Sequence, residues 1–479
     1  MTRTGKITLG KFGIKEKDFS KALNRYLIEN GKLQSGHEAD LIYIDLSDKS
    51  LGTMFNVYDA KVFYAIDHHV EDEDNINLIL KHYKGGRSAR DFSGIDSRRR
   101  DMLVYEATVL KNLDDYVPKF CYSGKNVLIM EDIGELTLES ALLNMPLFRG
   151  RIDTDNKLFE NLIDRVAGFH SGLEDIVTSG KFKNHTTPDY VGRFSTYIGE
   201  IFSGINGGEE EIPPDLEKRF REAFLPIASI FYRGRLNENG GQMSTQPIHE
   251  DLHPPHIFYR TSKTGELKAY FIDFRPTMGP VQFDLVDLLR HPRVYPYLKD
   301  GEEKVDRLLR SYMRERLKII NKKLGGEINP RTAADIMRST TEDDAQAIPL
   351  SPDFDPADLT TEVSDKSFNE FKTMFQLSRV YRGIRSASKN YSSSMRKPEL
   401  YKQYVGQNKN YPLYPASYLG DVVDACEELH SNTSKYPVDS KTMMGIQTIH
   451  GLIEKEFSGV LKKRNKIITK LKIKDEDLL

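Results

Sequence analysis

From residue 15 to 35 the apolar positions Phe19, Leu23, Tyr26 and Leu27 recur at helical spacing, which predicts a helix with one buried stripe. The period then changes. Ala39 to Leu46, Asn56 to Ile66 and Ile76 to Tyr83 are rich in β-branched and aromatic residues, with turn-forming or acidic stretches between them, and predict a meander of three strands. Ser97 to Leu113 reads as a charged amphipathic helix, and Lys119–Tyr122 and Asn126–Met130 as two strands around a Ser123-Gly124 turn. Beyond Ile133-Gly134-Glu135 the pattern is mainly helical, with Leu136–Leu143, Asp155–Ser171, Thr196–Ser203 and Leu216–Arg233, and helices resume from Asp284. The expected fold class is therefore α+β, with a small antiparallel-sheet domain over 1–132 and a larger, mainly helical domain over 133–479. Thr340 to Asp365, rich in Asp, Pro, Ser and Thr, reads as an exposed insertion or linker, and the basic stretch from Leu461 as a solvated helix face.

Composition narrows the class only a little. A chain of 479 residues can bury a sizeable core. Its formal charge of -2 gives no global reason to expect nucleic acid or a membrane surface as partner. Cys121 and Cys426 are far apart and make no metal-binding spacing, which suits buried thiols in a reducing compartment. Met1 to Lys6 leads into charged sequence, so no signal peptide is expected, and no apolar run approaches the roughly 20 residues of a spanning helix. A cytoplasmic protein is expected.

The chemistry concentrates in Ile248-His249-Glu250-Asp251-Leu252-His253-Pro254-Pro255-His256-Ile257-Phe258-Tyr259 and in Tyr270-Phe271-Ile272-Asp273-Phe274. Two apolar runs each carry an aspartate at their edge. Asp251, in a loop before Ile257-Phe258, can face an acceptor hydroxyl, and His249 can brace that loop by bonding backbone carbonyls. Asp273, at the end of a strand, suits a hard oxygen ligand for Mg²⁺. Phosphoryl transfer also needs a cation on the phosphates. Lys81 ends the run Ile76-Asn77-Leu78-Ile79-Leu80, and Glu106 in the next helix is placed to pair with it and hold its rotamer. A phosphate-covering turn is expected at Leu51-Gly52-Thr53-Met54-Phe55-Asn56, with Gln34-Ser35-Gly36-His37 as the competing candidate. Leu128 to Gly134, an apolar strand entering an acidic, glycine-containing crossover, offers backbone groups to an adenine edge.

With these parts in this order the chain resembles the protein-kinase-like superfamily, and in it the branch of aminoglycoside phosphotransferases, choline kinases and small sugar kinases. The resemblance covers roughly residues 36–290 and implies a bilobal fold that uses ATP and Mg²⁺. It implies Lys81 as the phosphate-binding lysine, Glu106 as its helix partner, and Met130, Glu131 and Ile133 in the hinge. Asp251 would be the base of a catalytic loop at 248–258, and Asp273 the metal ligand of a loop at 272–284. Gly279 to Leu289 is similar to the family's Gly-Pro…Asp-Leu segment, where Asp284 would cap a helix and tie it to the catalytic loop. Only a short turn separates Asp273 from Asp284, too little for the long loop on which protein kinases dock a peptide, so a small-molecule acceptor such as a sugar or amino sugar is expected.

One position departs from the family. His256 stands where an asparagine normally offers an oxygen to the second Mg²⁺, and imidazole nitrogen suits Mn²⁺ better. The departure keeps open a catalytically weak, nucleotide-binding scaffold. A further alternative is a metal-dependent hydrolase built on His249, Asp251, His253 and His256. Arg379, Tyr381, Arg382 and Arg385 in the segment Gln376 to Tyr391 read either as a wall of the acceptor pocket or as an ordinary basic helix face.

Overall fold

The computed structural model describes residues 9–48, 55–83, 93–143, 157–208, 210–233, 246–261, 267–298, 301–323, 363, 365–396, 401–402, 405 and 411–463. The expected linker at 340–365 and the basic end beyond 463 lie almost wholly outside them. The chain forms two compact units: Met1–Thr137 with Asp175–Asn184 and His256–Pro276, and Leu138–Glu174 with His185–Pro255 and Thr277–Leu479. No helix among the described residues is long and apolar enough to cross a membrane.

The first unit is built on strands β1 (Ala39–Asp48), β2 (Asn56–Ile66), β3 (His69–His82), β4 (Phe120–Ser123) and β5 (Val127–Glu131). They form one antiparallel sheet in the order β1-β2-β3-β5-β4. Helix α1 (Glu16–Glu29) packs its stripe of Phe19, Leu23, Tyr26 and Leu27 into one core with Ile44, Leu46, Val62, Ile76, Leu78 and Leu80. Strand alternation fixes the rest: with Ile76, Leu78 and Leu80 in that core, Lys81 points to the opposite face. Helix α2 (Ser93–Asn112) follows β3 in the chain.

The observed units differ from the expected division near Asp132. The hairpin of β7 (Ile257–Thr261) and β8 (Leu267–Phe271), together with Asp273, belongs to the first unit rather than to the helical one. Hydrogen bonds explain this: the Tyr259 amide donates to the Leu136 carbonyl at 2.7 Å and the Phe271 amide to the Tyr116 carbonyl at 2.9 Å. A hairpin is marginal alone and takes its place from the backbone that satisfies its edges.

The second unit holds α3 (Leu138–Leu143), α4 (Lys157–Thr178, up to Glu174), α5 (Tyr190–Ile205), α6 (Pro214–Arg233) and α7 (Gln282–Leu289). Further along the chain in this unit follow α8 (Gly301–Lys323), α9 (Asp365–Arg396), α10 (Tyr414–Ser431), α11 (Ser440–Glu456) and the short α12 (Ser458–Leu461). Two short strands, β6 (Gln246–Ile248) and β9 (Thr277–Gly279), pair antiparallel within it. Helix α9 is its centre. Phe371, Phe375, Val380, Tyr381 and Ile384 are buried along it, and Tyr381 stacks on Phe283 with ring centroids 5.3 Å apart. At Gly383 a Cβ would stand 2.5 Å from the Val422 side chain and 3.0 Å from the Tyr418 carbonyl, so the close passage of α10 over α9 requires glycine there. Arg379, Arg382 and Arg385 are buried on α9, which rules out the solvated basic face as a reading of this segment.

Candidate active site

Two sets of sequence-predicted residues come together, one in each unit. In the first, Lys81 on β3 donates to both carboxylate oxygens of Glu106 on α2, at 3.0 and 2.8 Å, and also to Oδ1 of Asp273. The Lys81 and Glu106 side chains are only 6% and 3% exposed, whereas Asp273 keeps 42% of its side-chain surface open. One ammonium therefore serves two carboxylates. Burial presses the Lys81 pKa down, but Asp273 and Glu106 outweigh it and hold the amine above its ordinary range. Burial likewise pushes the Asp273 carboxyl up, yet Lys81, His256 and Arg275 hold it well below the usual carboxylate range. Burial and repulsion from Asp273 push Glu106 the other way, against the pull of Lys81. The more open carboxylate thus keeps its charge most firmly.

Asp273 follows β8 with a φ of 64°, a left-handed backbone. Aspartate tolerates this conformation better than most residues, though it still costs on the order of 1–2 kcal/mol in an L-residue. The chain around it is anchored: the Ile272 amide donates to the His256 carbonyl at 3.2 Å, and Phe274 is buried. His256 Nε2 stands 3.4 Å from Asp273 Oδ2. Adjacent ligands of an octahedral ion with bonds of about 2.1 Å lie about 3 Å apart. An oxygen and an imidazole nitrogen at the observed spacing fit one divalent cation as neighbouring ligands.

The hinge segment is built into the sheet. All of β5 is buried, and the Glu131 amide donates to the Lys119 carbonyl at 2.9 Å. The Glu131 carboxylate accepts from the Lys119 amide at 3.2 Å and from Arg260, so this side chain braces β5 against β4 and β7. Ile133 is buried, Gly134 takes a φ of 93°, and its amide donates to Asp132 Oδ1 at 2.9 Å. Gly52, with the turn expected to cover the phosphates, lies outside the described residues. In the competing turn, Gly36 has a φ of 99° and His37 bonds Asp67, which fastens the β2–β3 hairpin to the entry of β1.

In the second unit, Asp284 organises the loop that carries Asp251. It is wholly buried in the first turn of α7, where it accepts the amides of His249 at 2.7 Å and Glu250 at 2.9 Å. His170 Nε2 is 3.0 Å from the same carboxylate, and His170 Nδ1 is 2.8 Å from the Tyr312 hydroxyl. The tie to the loop is as the resemblance implies, but the cap is not. Val281 occupies the N-cap of α7 with no side-chain cap, and Asp284 turns toward the loop. His249 is buried, and its Nδ1 accepts the Asp251 amide at 3.3 Å, a bond that braces the loop from within.

Glu250 has a φ of 69°. Of the four non-glycine residues with positive φ among the described residues, Asp67 and His68 turn a hairpin, Glu250 immediately precedes Asp251, and Asp273 bonds Lys81. Besides Asp284, further groups hold Glu250. Its carboxylate accepts from Thr277 Oγ1 at 2.7 Å and Arg193 at 3.0 Å, and its carbonyl accepts from Arg382 at 2.7 Å. Asp251 follows, with Oδ1 accepting from Lys389 Nζ at 2.7 Å and Arg385 at 3.5 Å. His253 Nε2 is 3.8 Å from its other oxygen. Arg382 and Arg385 both bond Asp287 on α7.

Sequence reasoning passed over Glu250, Thr277, Arg193 and Lys389. A signal for the last was present: Arg382, Arg385 and Lys389 fall at positions i, i+3 and i+7 of one helix and share a face. Arg193 and Thr277 come from remote segments and carry no such signal.

No protein-family model matches the chain, and no curated protein does. Among solved structures it is similar to kinases and phosphotransferases of small molecules. A choline kinase from Cryptosporidium parvum Iowa II aligns over 87% of this chain and 98% of its own, at 12% identity and a TM-score of 0.42. An ethanolamine kinase from Plasmodium vivax aligns over 88% and 91%, at 11% identity and a TM-score of 0.38. A macrolide 2'-phosphotransferase from Brachybacterium faecium, solved without ligand, aligns over 68% and 99%, at 14% identity and a TM-score of 0.29.

Proposed function

We propose that this protein is an ATP-dependent phosphotransferase acting on the hydroxyl of a small metabolite. The buried Lys81–Glu106 pair in contact with Asp273 carries the reading. A lysine shielded from solvent and still charged, joined to an aspartate that remains accessible, is suited to grip α- and β-phosphates beside a metal ligand. A hydrolase built on the histidines would leave that arrangement without a purpose.

In this reading Lys81 neutralises the phosphates, Glu106 holds its rotamer, and the backbone near Met130, Glu131 and Ile133 meets the adenine. Asp273 and His256 would hold the divalent ion, Mg²⁺ or Mn²⁺, which supplies charge neutralisation on the phosphate oxygens. Asp251 receives the acceptor's hydroxyl proton as that oxygen bonds the γ-phosphorus. The bond from phosphorus to the bridging oxygen breaks, and its electron pair leaves on ADP. His249 and Asp284 keep Asp251 in place. A sugar or amino-sugar hydroxyl is the finer reading, resting on the Gly279 to Leu289 segment, and a reducing cytoplasm suits the buried free thiols of Cys121 and Cys426.

One observation favours a second reading, a nucleotide-binding protein with little turnover: Lys389 and Arg385 already engage the carboxylate proposed as base. The two readings part on one experiment. The protein is incubated with a metabolite extract and ATP, in Mg²⁺ and in Mn²⁺, and products are read by mass. Gain of one phosphoryl group by a metabolite supports transfer. Thermal stabilisation by ATP with no phosphorylated product in either metal supports the second reading.

A further inference from the structure

Arg385 and Lys389 lie one helical turn apart on α9, and both donate to the same oxygen of Asp251. Arg385 is fixed: its side chain is 3% exposed and is shared with Asp287. Lys389 is not buried, with 45% of its side chain exposed on a long flexible stem. A base held by two cations is a poor base, because each favours the unprotonated, charged carboxylate. Once Asp251 takes a proton, its two cations also lose their counter-charge. A neutral acceptor leaves both problems standing, and a cationic acceptor adds repulsion.

We propose that Lys389 is an acceptor-binding residue and that the acceptor is an anionic alcohol, one bearing a carboxylate or phosphate beside the hydroxyl to be phosphorylated. The anion draws Lys389 from Asp251, supplies its new counter-charge and restores the basicity of the carboxylate. Arg385 stays in place and orients it. This inference rests on the phosphotransferase reading and replaces its neutral sugar or cationic amino-sugar acceptor with an anionic one.

The test uses the full chain with ATP and either metal. A metabolite extract is split by anion exchange into retained and unretained fractions, and D-glycerate, glycerol and choline are assayed beside them as alcohols of differing charge. Phosphorylation in the retained fraction, with D-glycerate turned over better than glycerol or choline, is expected. An acceptor found only in the unretained fraction, or choline or glycerol preferred to D-glycerate, overturns the anionic acceptor and leaves the phosphotransferase standing. No product from any fraction or probe removes both. With the retained acceptor, Lys389→Met should raise KM by about 10-fold or more, the scale of one charge-assisted hydrogen bond, with the larger part of the loss in KM rather than kcat. Lys389→Arg should recover most of it. An unchanged KM with a loss confined to kcat would make Lys389 a positioning partner of Asp251 and overturn its role in binding.

Discussion

Lys81 Nζ stands 2.8 Å from Glu106 Oε2 with both side chains almost closed to solvent. The pair is costly to break and inexpensive to replace, because a lone charge in such a place has no compensation while two apolar or neutral groups need none. Lys81→Met alone should destabilise the fold by about 3–5 kcal/mol, less whatever Glu106 recovers by taking up a proton. Adding Glu106→Gln should restore much of that stability without restoring nucleotide binding. Denaturant titration of the single and double variants, alongside ATP binding, checks both halves. A double variant no more stable than Lys81→Met would contradict the coupling.

Asp251 is argued as the base, so a neutral isostere should strike turnover and spare the nucleotide. Asp251→Asn keeps the shape and the bond to His249, and should cut kcat by about 10²–10⁴-fold with ATP affinity within a few-fold of the parent. Steady-state kinetics and a separate nucleotide-binding assay answer this. Turnover near that of the parent would remove Asp251 from the chemistry.

Much of this arrangement was legible in the chain because it depends on local periodicity. The alternation Ile76, Leu78, Leu80 fixes the face of Lys81 whatever the strand packs against, and the stripe on α1 shows which face it covers. The division into units was not legible at Asp132, since the β7–β8 hairpin joins the first unit through backbone hydrogen bonds at Leu136 and Tyr116, and backbone groups leave no mark in a sequence. Glu250 escaped for a related reason. Its left-handed φ and its contacts with Thr277, Arg193 and Arg382 come from three separate segments that only the tertiary fold brings together. Asp284 sits where a helix cap is expected, and it turns instead to accept two loop amides, those of His249 and Glu250.

Those two amides make Asp284 a structural keystone that touches no reactant. Replacing it by alanine would strand the His249 and Glu250 N–H groups and the His170 imidazole in a dry interior. Asp284→Ala should destabilise the protein by about 3–5 kcal/mol and lower kcat through displacement of Asp251. Asp284→Asn retains one acceptor and should fall between the two. A thermal unfolding series with the activity of each variant measured well below its midpoint separates instability from misplacement. An alanine variant as stable as the parent would show that water replaces the carboxylate.

In the proposed site His256 would set the metal preference. With imidazole Nε2 3.4 Å from the Asp273 carboxylate, the donor pair is one nitrogen and one oxygen, which favours Mn²⁺ over Mg²⁺, a hard ion that keeps oxygen ligands. The parent should therefore bind ATP with Mn²⁺ more tightly than with Mg²⁺. His256→Asn, which supplies an amide oxygen, should narrow or reverse that preference, whereas Asp273→Ala should abolish the metal-dependent part of ATP binding with either ion. Calorimetric titration of ATP in each metal, and in chelator as the metal-free baseline, reads all three proteins without relying on turnover. Equal or better binding in Mg²⁺ by the parent, or a His256→Asn variant with its metal preference unmoved, would take His256 out of the coordination shell. Asp273 would then stand as the one ligand from this pair.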